Sequence, residues 1–204
     1  MEGKEQSLTS YDVSSLVIDR LRDQVKSQEV AVACFYFDTA TQKEQSPASM
    51  LGALLKQLVS GLEEIPEEIL RAYRDLNIIG GRGPQLADIV KMLQATASRK
   101  PTFICIDAID ECVAGYRAKI LGSLNQILQN SPNTRIFITG RPHIEAEVGK
   151  RLSGRGTAIR ITPRRHDIIS YLNFRLDEDL APDAMDSNLK ADILKKISED
   201  VSEM

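Results

Sequence analysis

The sequence predicts an α/β domain built on a mainly parallel sheet, and three observations predict it. Short apolar runs of strand character occur at Val30–Phe37, Thr102–Ile106, Thr134–Thr139 and Ala158–Thr162. Segments with apolar residues at helical spacing lie between them. The first three runs each end where the chain turns polar, at Asp38, at Asp107 and at Gly140-Arg141. Apolar runs bounded by turn residues read as strands buried on both faces. Strands separated by helices are joined by crossovers, which make neighbouring strands parallel.

The elements follow in order. Val13, Leu16, Val17, Leu21 and Val25 recur at helical spacing and predict a first helix from Tyr11. Val30–Phe37 is the first strand. Ser46-Pro47 opens the next helix, with Ser as N-cap and Pro at the first helical position. Met50, Leu51, Leu54, Leu55, Leu58, Val59 and Leu62 line its apolar face. Pro66 to Leu76 forms a weaker helical stretch, and Gly80 to Pro84 reads as a plain loop. Leu86, Ile89, Val90, Leu93 and Ala97 face one helix; Ile120, Leu121, Leu124 and Leu128 face another. The turn Asn130 to Asn133 leads into Thr134–Thr139. Further helices are predicted over Ile144 to Leu152, Asp167 to Leu176 and Leu189 to Val201, the last two separated by an acidic loop.

Composition narrows the function classes. With 204 residues the chain can bury one sizeable core and at most a small appendage. Hydrophobic residues make up 42% and charged residues 27%, ordinary values for a soluble globular domain. The net charge of −3 argues against a polyanion partner. Arg151, Arg155, Arg160, Arg164 and Arg165 have no interleaved aromatic residues, so no nucleic-acid surface is expected. No apolar run approaches the roughly 20 residues of a membrane span, and Met1 to Asp12 lacks the apolar centre of a signal peptide. Cys34, Cys105 and Cys112 form no Cys-x-x-Cys pair. Cys34 and Cys105 lie inside apolar strands and read as small buried hydrophobes, in keeping with a reducing, cytoplasmic setting. His143 and His166 are too few for a histidine-based metal site.

The chemistry concentrates in Thr102 to Glu111, T-F-I-C-I-D-A-I-D-E. In open α/β sheets the ligand crevice lies at the carboxyl ends of the strands. Asp107 sits where a bound Mg²⁺ would be met, directly or through water. Asp110 and Glu111 are placed to orient or deprotonate an attacking water. A helix N-terminus lined with acids accounts for the same carboxylates equally well.

Three segments in series carry a resemblance. They are V-A-C-F-Y-F-D followed by Q-S-P-A-S-M-L; F-I-C-I-D-A-I-D-E-C; and T-R-I-F-I-T-G-R-P-H-I. Their order and spacing resemble the NACHT domain of signalling (STAND-type) P-loop NTPases, in the nephrocystin-like group of multidomain repeat proteins. The resemblance covers roughly Val13 to Tyr171. It implies a three-layer P-loop NTPase-like sheet. Asp107 would be the Walker B aspartate that holds Mg²⁺, with Asp110 and Glu111 as the catalytic, water-activating acids. Arg141 would be the cofactor-binding sensor of the γ-phosphate. A guanidinium at a strand's carboxyl end also suits phosphate oxygens; a salt bridge to an acid such as Asp107 or Glu111 is its structural alternative. Gly140 stands where the family more often has Ser.

The resemblance fails at the front. The family's Gly-rich loop ends in Gly-Lys-Ser/Thr, and its Lys and Ser/Thr would fall at Ser10 and Tyr11. Gly3-Lys4 has no such context. The family's first central strand is therefore expected to be missing, so the chain reads as a fragment or degenerate relative: a loose N-terminus over 1–12, a NACHT-like core over 13–163, and a helical extension over 164–204. No cofactor is expected for the isolated chain, although the parent family uses Mg-ATP or Mg-GTP. Protein partners or self-association are expected, and the family is usually fused to ankyrin, tetratricopeptide or WD40 repeats. Two other readings stand beside a nucleotide-regulated module without its own catalysis. One is a competent NTPase whose strand and loop are supplied upstream. The other is a protein-binding scaffold that uses no nucleotide.

Overall fold

The structure, a computed structural model, describes residues 10–25, 30–78, 84–161, 165–177 and 187–200. The glycine loop at 80–83, the acidic loop at 178–186, Thr162 and Gly3-Lys4 lie outside these residues. The described residues fall into two compact units: Val13 to Ala158 forms the larger, and Ser10 to Asp12 together with the residues from Ile159 onward form the smaller.

The larger unit holds three strands, β1 (Ala31–Tyr36), β2 (Thr102–Asp107) and β3 (Thr134–Ile138). They pair in parallel in the order β1-β2-β3. The crossovers run through α2 (Pro47–Ser60), α3 (Glu67–Ile78), α4 (Leu86–Ala97) and α5 (Ala114–Asn130); α1 (Ser10–Val25) precedes β1 and α6 (Glu145–Arg151) follows β3. Ser46 caps α2, accepting from the Ser49 N–H, with Pro47 in the first turn. The helix predicted from Tyr11 begins at Ser10.

Alternation divides the sheet into two faces. Ala33, Ile104 and Ile106 point to one face and are fully buried. Met50, Leu51, Leu54, Leu93, Leu121 and Leu124 from α2, α4 and α5 close over them. Each such side chain contributes about 1.5–3 kcal/mol on burial. The other face carries Val32, Cys34 and Tyr36, then Phe103, Cys105 and Asp107, then Arg135 and Phe137. Here α1 supplies the contacts: Ser14 reaches Asp107 and Arg22 reaches Cys34. Among the described side chains of α1, Ser14 and Ile18 are buried, Val17 and Leu21 are half-buried, and Leu16 is half exposed. Ile18 rather than Leu16 thus meets the sheet, because Leu16, Val17 and Ile18 are consecutive and periodicity alone does not choose among them.

The outer edge of β1 is closed by a side chain. Gln57 accepts from the Cys34 N–H at 2.9 Å and donates to the Cys34 carbonyl at 2.8 Å. One amide thereby satisfies both backbone groups of a residue facing away from β2.

The fourth strand expected at Ala158–Thr162 does not form. Residues 158–161 are irregular, and Ile159 and Ile161 are 81% and 64% exposed. The alternating sequence supplies propensity, but a strand also needs a neighbour for its N–H and C=O groups. In the smaller unit α7 (Arg165–Asp177) packs against α8 (Ser187–Asp200).

Candidate functional site

The site is built where β2 ends. Asp107 is the last residue of that strand and is buried. Its Oδ1 accepts hydrogen bonds from the Ser14 hydroxyl and, at 2.5 Å, from the Thr139 hydroxyl. Among the described residues its Oδ2 has no hydrogen-bond partner. A buried carboxylate oxygen in that state costs free energy unless something else meets it. Thr139 is itself fixed from three sides. Its hydroxyl accepts from the Ala108 N–H, its N–H donates to Ile106, and its carbonyl accepts from Ile109.

Directly after Asp107 the backbone turns through Ala108 at φ 52° and ψ 46°. A non-glycine residue in the left-handed region costs about 1–2 kcal/mol. The turn feeds a short 3-10 helix, Ile109–Glu111, which sends the remaining acids elsewhere. Asp110, its side chain 7% exposed, accepts from the Arg141 N–H at 3.2 Å and lies 3.5 Å from the Arg141 Nε. Glu111 accepts from the Thr39 N–H through its carboxylate and from Gln42 through its carbonyl. The structural alternative for Arg141 therefore occurs, but with Asp110 rather than Asp107 or Glu111. The guanidinium is otherwise exposed. Nearby, Arg117 pairs with Glu147 at 2.9 Å and donates to the Cys112 carbonyl.

Asp107, Asp110, Glu111 and Arg141 thus share one end of the sheet without forming one cluster. No group of three or more metal-ligating side chains occurs among the described residues. Two contributors went unread in the sequence, Ser14 and Thr139. Ser14 left one signal: a polar residue four positions before Ile18 on the buried stripe. Gly140, opposite the site, has a packing reason. A Cβ there would lie 2.7 Å from Ile144 Cδ1 and 3.1 Å from Ile109 Cγ2, so the Ser common in the family would not fit without a shift.

A family model described as Nephrocystin 3, N-terminal, matches residues 12–141. The chain belongs to that family. The matched segment of this nephrocystin-type domain contains Ser14, Asp107, Asp110, Glu111, Thr139 and Arg141. Among solved structures, the domain is similar to the ORC1 protein of Aeropyrum pernix in complex with DNA. The TM-score is 0.50 at 19% identity, over 85% of this chain and 42% of that one. The chain therefore spans less than half the length of that relative. Together the two likenesses identify a P-loop NTPase-like fold. No curated protein matches the sequence.

Burial also sets the cysteines apart. It pushes the Cys105 thiol up to about 11, with the neighbouring Cys34 adding to the rise. It pushes Cys112 up to about 11 as well, against the lowering influence of Arg117. The Tyr36 hydroxyl is raised chiefly by burial.

Proposed function

We propose that this chain is a NACHT-type signalling module of the STAND class whose nucleotide site is incomplete, so that the isolated chain neither binds nor hydrolyses nucleotide. One observation carries the reading: the buried Asp107, held through Oδ1 by Ser14 and Thr139, with Oδ2 unpartnered at the end of the middle strand. That arrangement fits a Walker B carboxylate. Asp107 would hold Mg²⁺ through Oδ2, directly or through water, and the cation would neutralise charge on phosphate oxygens. Asp110 and Glu111 would serve water activation only after leaving their present partners, Arg141 and Thr39. Arg141 is exposed enough to swing toward a phosphate.

The residues do not fit the triphosphate itself. The sequence holds no Gly-x-x-x-x-Gly-Lys-Ser/Thr run, so no cradle of backbone N–H groups and no lysine meet the β- and γ-phosphates. The hydroxyls on Asp107 come from Ser14 and Thr139, not from the Tyr11 position that the resemblance implies.

Calorimetry tests the reading. Mg-ATP and Mg-GTP are expected to give no heat of binding with the isolated chain, and low-micromolar one-to-one binding would overturn it. One observation also favours a competent site completed by an added segment: among the described residues, β3 has no ladder partner on the side away from β2. A family-like strand and phosphate loop fused upstream should then raise both nucleotide affinity and the thermal midpoint. If the midpoint rises without nucleotide binding, the edge takes a protein partner and the scaffold reading prevails.

A further inference from the structure

Cys34 and Cys105 are register partners on β1 and β2. Register partners on paired strands point to the same face, and such strands lie about 4.8 Å apart. That spacing falls within the Cα separation of disulfides, about 4.4–6.8 Å. The two thiols differ in access: Cys105 is buried, whereas Cys34 is only partly covered. Two polar groups converge on Cys34. Arg22 Nη2 lies 3.9 Å from its sulfur, and Gln57 Oε1 lies 3.6 Å away. A cleft of about 230 Å³ is lined by the same Arg22 and Gln57, with Val32 and Lys100 among others. Cys112 belongs to the opposite core and contacts the Val113 carbonyl.

We propose that Cys34 and Cys105 form a peroxide-reactive dithiol that closes into a disulfide joining β1 to β2. The Cys34 thiolate attacks one oxygen of hydrogen peroxide. An S–O bond forms, the O–O bond breaks, and the leaving hydroxide takes a proton to become water. Cys34 is then a sulfenic acid, with the Arg22 guanidinium beside it. The Cys105 sulfur attacks the Cys34 sulfur, the S–S bond forms, and the S–O bond breaks. The departing hydroxyl leaves as water with the Cys105 proton. Two thiols lose two electrons and one peroxide becomes two waters. None of this involves the carboxylates at the sheet's end, so the proposal stands apart from the nucleotide reading.

The test treats the reduced full chain with a few equivalents of hydrogen peroxide, alkylates it and maps its peptides without reduction. Two of the three thiols should be lost, and one linked peptide, two hydrogens lighter than its parts, should contain Cys34 and Cys105. In Cys105→Ala the Cys34 sulfenic acid should accumulate and be trapped by dimedone. In Cys34→Ser the oxidation rate should fall at least tenfold. If the wild type accumulates dimedone-trapped Cys34 as the Cys105→Ala variant does, or links Cys34 between chains instead, the dithiol does not exist.

Discussion

The two faces of the sheet differ in what they are for. The face under α2, α4 and α5 is apolar and closed. Ala33, Ile104 and Ile106 have no exposure there, and their neighbours are leucines, isoleucines and methionines. The face under α1 is mixed and only partly covered. It holds a buried carboxylate, two thiols and two half-covered phenylalanines, and Arg135 stacks over Phe103 at 5.9 Å. The same three strands present both faces, so the difference arises from alternate residues alone. Stability is concentrated on one side, and the groups able to do chemistry are on the other. A carboxylate with one oxygen unpartnered among the described residues is tolerated because the closed face stabilises the strand that carries it.

The sharpest way to break that contrast is to open a cavity on each face. Leu54→Ala should cost about 3–5 kcal/mol, because Leu54 is fully buried and its surroundings cannot collapse freely. Phe137→Ala, on the partly covered face, should cost less than half of that in urea unfolding. Equal losses would mean that both faces carry the fold.

A smaller effect sharpens the polar side. Thr139→Val keeps the shape but removes the hydroxyl that serves both Asp107 and the Ala108 N–H. It should cost about 1–3 kcal/mol, the range for leaving buried polar groups unpaired. A neutral result would mean that water replaces the hydroxyl and that the Asp107 environment is wet.

The smallest effect concerns pH and samples both faces at once. Cys105 lies on the mixed face and Cys112 in the closed core, and burial raises both thiols from 9.0 to about 11. The folded chain then keeps protons that the unfolded chain releases. Their contribution is fully present below pH 9 and is lost as pH rises toward 11. The thermal midpoint should fall across that window. Cys112→Ala should make the fall shallower without abolishing it, since Cys105 still titrates. A midpoint unchanged from pH 8.5 to 11 would contradict burial of both thiols.

These comparisons explain what could be read before the structure. The three paired strands were legible because each is a local apolar run with a turn residue after it. The start of α2 was legible because Ser46-Pro47 is a complete local signal. The segment at 158–161 misled because pairing depends on a neighbour, which no local pattern contains. Asp107 was placed correctly at the strand's end. Its hydroxyl partners were not, because Ser14 and Thr139 lie far from it in sequence. An ion pair of Arg141 with a neighbouring acid was legible, but not that the acid is Asp110, because the tight turn at Ala108 could not be foreseen from an alanine. That turn brings Asp110 to Arg141, while Asp107 meets Thr139 in the same loop.

The Gln57 amide has a consequence for assembly. An open sheet can recruit another chain at either border, and each recruitment needs free backbone groups in a row. At the β1 border the Gln57 carboxamide occupies the middle rung, so an incoming strand would have to displace it before zipping past Cys34. Among the described residues the β3 border bears no such plug. The two borders are therefore unlike: among the described residues the backbone groups beside Ile136 and Ile138 carry no ladder partner, while a single side chain locks the far border.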